Sequence, residues 1–320
     1  MDKVYITRKI PGDVLAYLAA HCSYELWPEE DMPVPRAVLL EKVRPVRGLY
    51  TLLTDRIDEE VFHAAPDLKV VANMAVGYDN IDLAQARARG ILVTNTPDVL
   101  TDATADLTMA LMLMTARRVL EANHVLLAGG WRTWSPMFMA GLDVHGRTLG
   151  IVGLGRIGRA VAKRARGFDM DVLYYSRTRR PAVEQELGLT YCPLAELLAR
   201  SDIVTLHTNL TGEAHHLIGE AELALMKKEA ILINTARGAV VDEKALYRAL
   251  VAGQIWGAGL DVFEEEPVPP VHPLVSLPNV VALPHIGSAT VSTRTAMAML
   301  AAQNLVLALE GQVPPNLVGG

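Results

Sequence analysis

The sequence feature that most constrains the fold is a glycine-rich turn between two apolar runs. Leu149 to Val152 forms the first run, the turn G-L-G-R-I-G occupies residues 153–158, and Val172 to Tyr175 forms the second run. A segment of helical character lies between the turn and the second run. The order strand, turn, helix and strand, at this length, predicts a βαβ unit.

Each glycine of this turn has its own physical role. Gly153 makes the tight turn after the strand, Gly155 allows a pyrophosphate to approach the backbone, and Gly158 lets the helix lie close to the sheet. The first N–H groups of the helix lack internal partners and favour an anion. A plain glycine-rich turn is the alternative, but the two flanking strands favour a dinucleotide-binding site.

The end of the second strand indicates which dinucleotide binds. An NAD site usually has an acidic residue there, which accepts a hydrogen bond from the ribose 2′-hydroxyl. Here Ser176, Arg177 and Thr178 follow the strand, and no acid occurs before Glu184. Hydroxyl and guanidinium groups suit a 2′-phosphate. We therefore expect NADPH/NADP to be preferred, with NADH/NAD possible; a solvated basic loop is the alternative.

Composition and charge narrow the class of protein. A chain of 320 residues is long enough for two domains, and its net charge of −6 gives no basic footprint for nucleic acid. The N-terminus lacks a signal pattern and no apolar run approaches transmembrane length, so we expect a soluble, cytoplasmic protein without a membrane partner. Cys22 and Cys192 lack metal-ligand spacing, which indicates two buried thiols and no metal site.

The N-terminal part alternates apolar runs with helical segments, as in a second doubly wound parallel sheet. We expect strands at 4–6, 49–53, 68–72 and 91–94, and helices at 14–20, 35–43 and 82–89. This part lacks a glycine-rich turn of the kind that binds a dinucleotide, so we expect it to bind the substrate instead. Its loop Asn73 to Asn80 contains Gly77, which permits N–H groups to turn toward an anion. An ordinary polar turn is the alternative.

Thr101 to Ala128 is one apolar-periodic segment and predicts a single long helix that crosses between the domains as a hinge. A loop rich in Trp and Met follows and includes Trp134. Large apolar side chains outside a periodic element indicate a partner surface, so we expect a homodimer. A buried wedge between the domains is the alternative.

The segment Ser288 to Glu310 predicts a long closing helix that returns to the first domain. We therefore expect an α/β fold with two doubly wound parallel-sheet (Rossmann-like) domains and the active site in the cleft between them. The expected division is residues 1–98 and 289–320 for a discontinuous substrate-binding domain, and residues 99–288 for an NAD(P)-binding domain that includes the helix 101–128 and the dimer loop 129–147.

Three side chains with catalytic chemistry follow strands of the nucleotide domain: Arg237, Glu266 and His285. Carboxyl ends of parallel strands converge on the cofactor crevice. Reducing a 2-keto acid needs a planar cation for the carboxylate and carbonyl, an acid of near-neutral pKa, and a carboxylate that favours the imidazolium. Each residue also has a structural alternative: Arg237 in an ion pair with Asp242, a solvated Glu266, or a core His285.

The chain resembles the D-isomer-specific 2-hydroxyacid dehydrogenase family along essentially its whole length, and most of all the glyoxylate/hydroxypyruvate reductases within it. The motifs that carry the resemblance are N-M-A-V-G-Y-D-N-I-D, N-T-P-D-V-L-T-D-A-T-A-D, G-G-W-R-T-W-S-P, G-L-G-R-I-G, Y-Y-S-R-T-R, N-T-A-R-G-A-V-V-D, G-L-D-V-F-E-E-E-P and P-H-I-G-S-A-T. The resemblance implies that Arg237 orients the substrate, Glu266 tunes the histidine and His285 is the acid/base. The matching acid is the one directly before a proline, not either of the two acids preceding it.

The resemblance also implies the binding residues. The backbone of Val76 and Gly77 would hold the substrate carboxylate with Arg237 and His285, and Trp134 would reach the site of the neighbouring subunit in a homodimer. The implied cofactor contacts are Thr104, Leu154, Gly155, Arg156, Ile157, Ser176, Arg177, Thr178, Thr235, Ala236, Arg237, Asp261, His285, Ile286 and Gly287.

The implied activity is NADPH-preferring reduction of glyoxylate or hydroxypyruvate, with hydride transfer to C2 of the keto acid to give the D-2-hydroxy acid. The alternatives are a phosphoglycerate, lactate or phosphonate dehydrogenase of the same family, or a non-catalytic corepressor-like binding protein on the same fold. Two departures from the family pattern are Asn209, where many members have Pro, and Asp106, where Glu is common. The change at Asn209 affects the expected contacts of that loop with the adenosine and leaves the expected fold unchanged.

Overall fold

The computed structural model describes residues 1–269 and 271–319. The chain divides into two compact units, which we call the first unit (Met1–Leu100 and Ala289–Gly320) and the second unit (Thr101–Ser288). Each unit contains one sheet whose strands are all parallel, with helices in the connections. The expected class, α/β with two Rossmann-like parallel sheets, is confirmed.

The first unit has a five-stranded sheet of order β2-β1-β3-β4-β5. Its strands are β1 (Lys3–Ile6), β2 (Ser23–Leu26), β3 (Gly48–Thr51), β4 (Val70–Asn73) and β5 (Leu92–Thr94). Its helices are α1 (Gly12–His21), α2 (Arg36–Lys42), α3 (Glu59–Ala64), α4 (Leu83–Ala88) and α12 (Val291–Leu309). The central strands β3 and β4 are buried along their whole length, as expected for a parallel sheet covered on both faces.

The closing helix α12 belongs to the first unit and packs on α1, β3 and β4. Thr290 caps it, since its hydroxyl accepts a hydrogen bond from the N–H of Thr293 at 3.1 Å. The buried Tyr50 hydroxyl donates to the carbonyl of Ala298 at 3.1 Å. Gly48 permits the close approach of helix and sheet, because a Cβ there would lie 3.1 Å from Leu305 Cδ1.

The second unit has a seven-stranded sheet of order β12-β11-β10-β9-β6-β7-β8. Its strands are β6 (Thr148–Val152), β7 (Asp171–Tyr175), β8 (Thr190–Tyr191), β9 (Ile203–Leu206), β10 (Ile231–Asn234), β11 (Gly257–Leu260) and β12 (Val280–Ala282). Its helices are α5 (Thr101–Ala116), α6 (Val119–Leu127), α7 (Arg156–Ala165), α8 (Pro181–Leu187), α9 (Leu194–Arg200), α10 (Glu220–Leu225) and α11 (Glu243–Val251), with 3₁₀ turns at Arg166–Phe168 and Gly238–Val240. The strand order reverses between β6 and β9, so ligands are expected at the carboxyl ends of these two strands.

The prediction of one helix over residues 101–128 is wrong. Helix α5 ends at Ala116 and α6 begins at Val119, because Arg118 adopts a left-handed conformation with φ of 54°. The carbonyl of Ala116 accepts a hydrogen bond from the N–H of Leu142 at 2.8 Å. A continuous helix would need that carbonyl for its own ladder. A contact distant in sequence therefore divides a segment whose periodicity is continuous.

Two further predictions concern the cysteines and the membrane. Cys22 and Cys192 are both free and buried, as expected, and burial raises the pKa of the Cys22 thiol to about 11. Among the helices of residues 1–269 and 271–319, none is both long and apolar enough to cross a membrane.

Candidate active site

The glycine turn lies between β6 and α7, at the point where the strand order reverses. Gly153 has φ of 100°, and a Cβ there would lie 2.5 Å from the carbonyl oxygen of His207. A Cβ on Gly158 would lie 2.2 Å from the carbonyl oxygen of Gly153. At Gly155, the N-cap of α7, nothing lies within 4 Å of the Cβ position. Open space beside a helix N-terminus fits the pyrophosphate of a dinucleotide.

A clamp of three side chains fixes the loop after β7. The Tyr174 hydroxyl donates to Glu184 Oε1 at 2.5 Å and accepts from the N–H of Arg180 at 2.8 Å. Arg179 donates to both oxygens of Glu184 at 2.9 Å. The hydrogen bonds from Arg179 and then Tyr174 lower the pKa of Glu184 to about 2. Glu184, the first acid after β7, is therefore already hydrogen-bonded to Arg179 and Tyr174.

The loop residues predicted to read the 2′-phosphate precede this clamp. Ser176 is half-buried, and Arg177 and Thr178 are exposed. Arg177 Nη1 lies 3.9 Å from Glu213 Oε2, and these side chains are 72% and 83% exposed. Solvent screens such a pair, so it holds Arg177 only weakly. Of the guanidinium groups of Arg177 and Arg179, that of Arg177 is the more accessible to an added anion.

Glu266 and His285 lie in hydrogen-bonding contact. His285 Nδ1 is 2.7 Å from Glu266 Oε2, and each side chain is 27% exposed. The other carboxylate oxygen accepts a hydrogen bond from the N–H of Phe263 at 2.9 Å. Burial raises the pKa of Glu266, but the hydrogen bond and charge of His285 outweigh it, so the net pKa is lowered. An ionised carboxylate only accepts, so the proton sits on Nδ1 and leaves Nε2 to face other partners.

Asp261 fixes the backbone beside His285. Its two carboxylate oxygens accept hydrogen bonds from the N–H groups of Ile286 and Gly287, each at 2.7 Å. His285 itself has φ of 55°, a left-handed conformation that costs a non-glycine residue roughly 1–2 kcal/mol. Burial raises the pKa of Asp261, although the two N–H groups act in the opposite direction. Asp261 thus holds the strained loop that presents the imidazole.

Arg237 follows β10 and lies close to the loop that carries Glu266. Its turn is fixed by Asn234, whose amide donates to the carbonyl of Arg237 at 2.9 Å and accepts from the N–H of Ala236 at 3.0 Å. A Cβ on Gly238 would lie 1.8 Å from the carbonyl carbon of Phe263, so the two loops touch through their backbones. The charge of Arg237 also lowers the pKa of Glu266. The second unit therefore brings the three predicted catalytic side chains together.

The structure also separates Glu266 from the two acids before it. Glu264 Oε1 is 2.9 Å from His216 Nε2 and accepts a hydrogen bond from the N–H of Glu243 at 3.2 Å. Asp242, the alternative partner considered for Arg237, instead caps α11 by accepting from Lys244 N–H at 2.9 Å. Glu264, Asp242 and Glu266 thus each have a distinct structural task.

The predicted contacts for the nicotinamide end gather near Asp261. A Cβ on Gly287 would lie 3.1 Å from Asp261 Oδ2 and 3.4 Å from Thr104 Cγ2. Thr235 Oγ1 lies 3.0 Å from Thr108 Oγ1. Thr104 and Thr235 are buried, and Ala236 and Ile286 are half-buried.

The remaining predicted residues lie elsewhere. At the glycine turn, Leu154 is buried, Ile157 is half-buried, and Arg156 is exposed. Val76 and Gly77 follow β4 in the first unit and are half-buried. Trp134 is 77% exposed. Sequence reasoning missed Asn234, although it ends an apolar strand and is the first residue of the motif N-T-A-R-G.

Comparison with known proteins shows which family the chain is similar to. The family described as "D-isomer specific 2-hydroxyacid dehydrogenase, NAD binding domain" matches residues 109–287. A glyoxylate reductase of Thermococcus kodakarensis is 57% identical over 320 residues, covering 99% of this chain and 96% of that protein. A crystal structure of a protein from Thermus thermophilus has a TM-score of 0.92 with 50% identity and covers 99% of each chain.

A third similar protein is the NADPH-dependent glyoxylate/hydroxypyruvate reductase of Sinorhizobium meliloti, solved in complex with NADP and malonate. It has a TM-score of 0.87 with 37% identity and covers 99% of this chain and 97% of that chain. Together these matches extend over both units of the chain.

This chain therefore belongs to the D-isomer-specific 2-hydroxyacid dehydrogenase family, and the resemblance seen in its motifs is confirmed. It is an NAD(P)-dependent oxidoreductase that acts on the CH–OH group of small 2-hydroxy acids, and it uses a nicotinamide cofactor.

Proposed function

We propose that this enzyme reduces glyoxylate and hydroxypyruvate to the D-2-hydroxy acids, with NADPH as the preferred reductant. The observation that carries the proposal is the 2.7 Å contact of His285 with Glu266, beside the guanidinium of Arg237. The Thermococcus relative supports glyoxylate as a substrate, and the Sinorhizobium relative supports hydroxypyruvate and NADPH.

In this proposal each catalytic side chain has one task. When bound, a reduced nicotinamide would supply the hydride that reduces C2 of the keto acid. Arg237 holds the substrate carboxylate and polarises the carbonyl with its planar fork of donors. His285 donates a proton from Nε2 to the developing alkoxide, and Glu266 accepts a hydrogen bond from Nδ1–H and so orients the ring.

The chain offers donors along the whole length of a dinucleotide. Leu154, Gly155, Arg156 and Ile157 would hold the pyrophosphate at the N-terminus of α7. Ser176, Arg177 and Thr178 would bind the 2′-phosphate, because Glu184 already pairs with Arg179 and the solvent-screened contact with Glu213 holds Arg177 only weakly. The nicotinamide end would contact Thr104, Thr235, Ala236, Arg237, Asp261, His285, Ile286 and Gly287.

The two units would divide the binding work. We assign the nucleotide to the second unit and the substrate carboxylate to the Val76–Gly77 loop of the first unit. We also propose a homodimer in which Trp134 contacts the partner's substrate site. The exposed large side chains near Trp134 support a partner surface: they are Trp131, Trp134, Met137 and Phe138, exposed by 58%, 77%, 77% and 42%.

Initial rates with glyoxylate, hydroxypyruvate and pyruvate, each with NADPH and with NADH, test the proposal. We expect kcat/KM to be highest for glyoxylate or hydroxypyruvate and higher with NADPH than with NADH. The panel also includes 3-phosphohydroxypyruvate with NADPH and with NADH, and phosphite with NAD as the oxidant. A higher kcat/KM for pyruvate or for either of these two substrates would favour another dehydrogenase of the family. Absence of turnover with all of them would favour a non-catalytic binding protein.

A further inference from the structure

Two amide side chains of the first unit hold the carbonyl groups of the Val76–Gly77 loop. We propose that Asn95 and Asn73 are positioning residues, which turn consecutive N–H groups of this loop toward the carboxylate of the substrate. The inference rests on the proposed function, because that function assigns the carboxylate to this loop.

The contacts involve two successive peptide groups. Asn95 Nδ2 donates to the carbonyl of Val76 at 2.8 Å, and Asn73 Nδ2 donates to the carbonyl of Gly77 at 3.0 Å. Asn73 is the last residue of β4, and Asn95 directly follows β5. Because Ala72 pairs with Thr94 in the parallel register, the two asparagines stand at the same level of adjacent strands. Both carbonyl groups are therefore drawn toward the same edge of the sheet.

The geometry of the peptide bond fixes where the corresponding N–H groups point. In a planar trans peptide, the C=O and the N–H point in opposite directions. The asparagine amides direct the carbonyls of Val76 and Gly77 toward the edge of the sheet. The N–H groups of Gly77 and Tyr78 therefore point away from that edge. Within the part of the chain that the structure describes, neither N–H has an acceptor. Successive N–H groups turned to one side form a concave site for an anion.

The amides are themselves held in place. Asn73 is fully buried, its Oδ1 accepts from the Thr51 hydroxyl at 3.1 Å, and its Nδ2 also lies 3.2 Å from Asn80 Oδ1. The carbonyl of Asn95 accepts a hydrogen bond from Nδ2 of the buried Asn304 at 3.2 Å. The loop is therefore arranged before any ligand arrives, which lowers the ordering cost of binding.

This role predicts a particular kinetic signature. The carboxylate keeps its charge in both the ground state and the transition state, so the loop binds the two states almost equally. Loss of the arrangement should therefore raise KM and leave kcat nearly unchanged. The loss of hydrogen bonds to a charged group predicts an increase in KM of about 10- to 100-fold.

The test uses the full-length enzyme saturated with cofactor and the variant Asn95→Leu, an uncharged isostere without the amide donor. The probe is oxamate, a stable analogue of a 2-keto acid that carries the same carboxylate. We expect its dissociation constant, measured by calorimetry, and the KM for glyoxylate to rise together, while kcat and the affinity for the cofactor stay unchanged. Asn95→Ala, which adds no apolar volume, provides a second variant.

Asn279→Leu is the matched control, because Asn279 is also half-buried and donates to a backbone carbonyl, that of Trp256, at 3.1 Å. The control should lose a similar hydrogen bond without any change in KM or in oxamate affinity. Unchanged oxamate affinity in both Asn95 variants would overturn this inference alone, as would an equal rise in KM in the control. Absence of turnover in the unmodified enzyme would instead overturn the proposed function.

Discussion

Glu266 Oε2 and His285 Nδ1 lie 2.7 Å apart although the two residues are 19 positions apart in the sequence. The carboxylate is fixed at both oxygens, by Phe263 N–H and by the imidazole, and the imidazole stands on a loop held by Asp261. Both partners are therefore oriented by backbone contacts that do not depend on a ligand. This preorganisation is what a proton donor requires.

The first prediction concerns the charge of Glu266. Glu266→Gln keeps the shape of the side chain but removes the negative charge, and its amide can donate a hydrogen bond to Nδ1 as well as accept one from it. The ring of His285 is then no longer held with its proton on Nδ1, so kcat for keto-acid reduction should fall by about 10-fold or more. Steady-state rates check this. Glu265→Gln, the same change on the exposed neighbour, should leave kcat unchanged, and equal kcat values for all three proteins would contradict the assignment.

The second prediction separates two arginines of one loop. Arg177→Ala should raise the KM for NADPH about 10- to 100-fold, because a guanidinium–phosphate contact is lost, with little effect on NADH. Arg179→Ala also removes one positive charge, but this guanidinium is already paired with Glu184. The increase in the KM for NADPH should therefore be smaller than in Arg177→Ala. Steady-state kinetics of both variants with NADPH and with NADH test this difference. An equal loss for NADPH and NADH in Arg177→Ala would mean that this residue does not read the phosphate.

The third prediction concerns the pH dependence of stability. The pKa of Glu184 falls from its ordinary value of 4.5 to about 2, so the folded state favours the ionised form. Its contribution is present above pH 4.5 and is lost as the pH falls toward 2. The difference in Tm between the unmodified enzyme and Glu184→Gln should therefore shrink across this interval. Glu186→Gln, on the same helix and exposed, is the control, and a difference that grows on acidification would refute the clamp.

The fourth prediction concerns assembly. Sedimentation should give twice the chain mass of 34.8 kDa, and Met137→Glu should shift it toward a single chain because a charge would be buried in an apolar contact. Val313→Glu, at a site 80% exposed and distant in sequence, is the control. A single-chain mass for the unmodified enzyme would rule out the homodimer.

Much of the fold follows from local patterns in the sequence. The strands expected at 4–6 and 91–94 are present as Lys3–Ile6 and Leu92–Thr94, and the helix expected at 14–20 lies within Gly12–His21. The edge strand β2 was not predicted. None of its residues is fully buried, so its sequence lacks the apolar run that marks the other strands. The division of the predicted long helix at Arg118 depends on Leu142, a contact that no local pattern encodes.

The site was predictable to a similar extent. Arg237, Glu266 and His285 follow strands whose ends converge, so their proximity could be predicted from topology. The choice of Glu266 among three successive acids needed the family resemblance, and the structure gives the physical difference: Glu264 contacts His216 instead. Asn73 and Asn95 have no chemical signature in the sequence, because an asparagine at a strand end is equally typical of a turn.

The central claim is that His285 supplies the proton, and its most direct test is the turnover of His285→Ala with saturating NADPH and glyoxylate. We expect kcat to fall by about two to four orders of magnitude, the range for losing a general acid, while the dissociation constant of NADPH stays within a few-fold. A kcat equal to that of the unmodified enzyme would contradict the account.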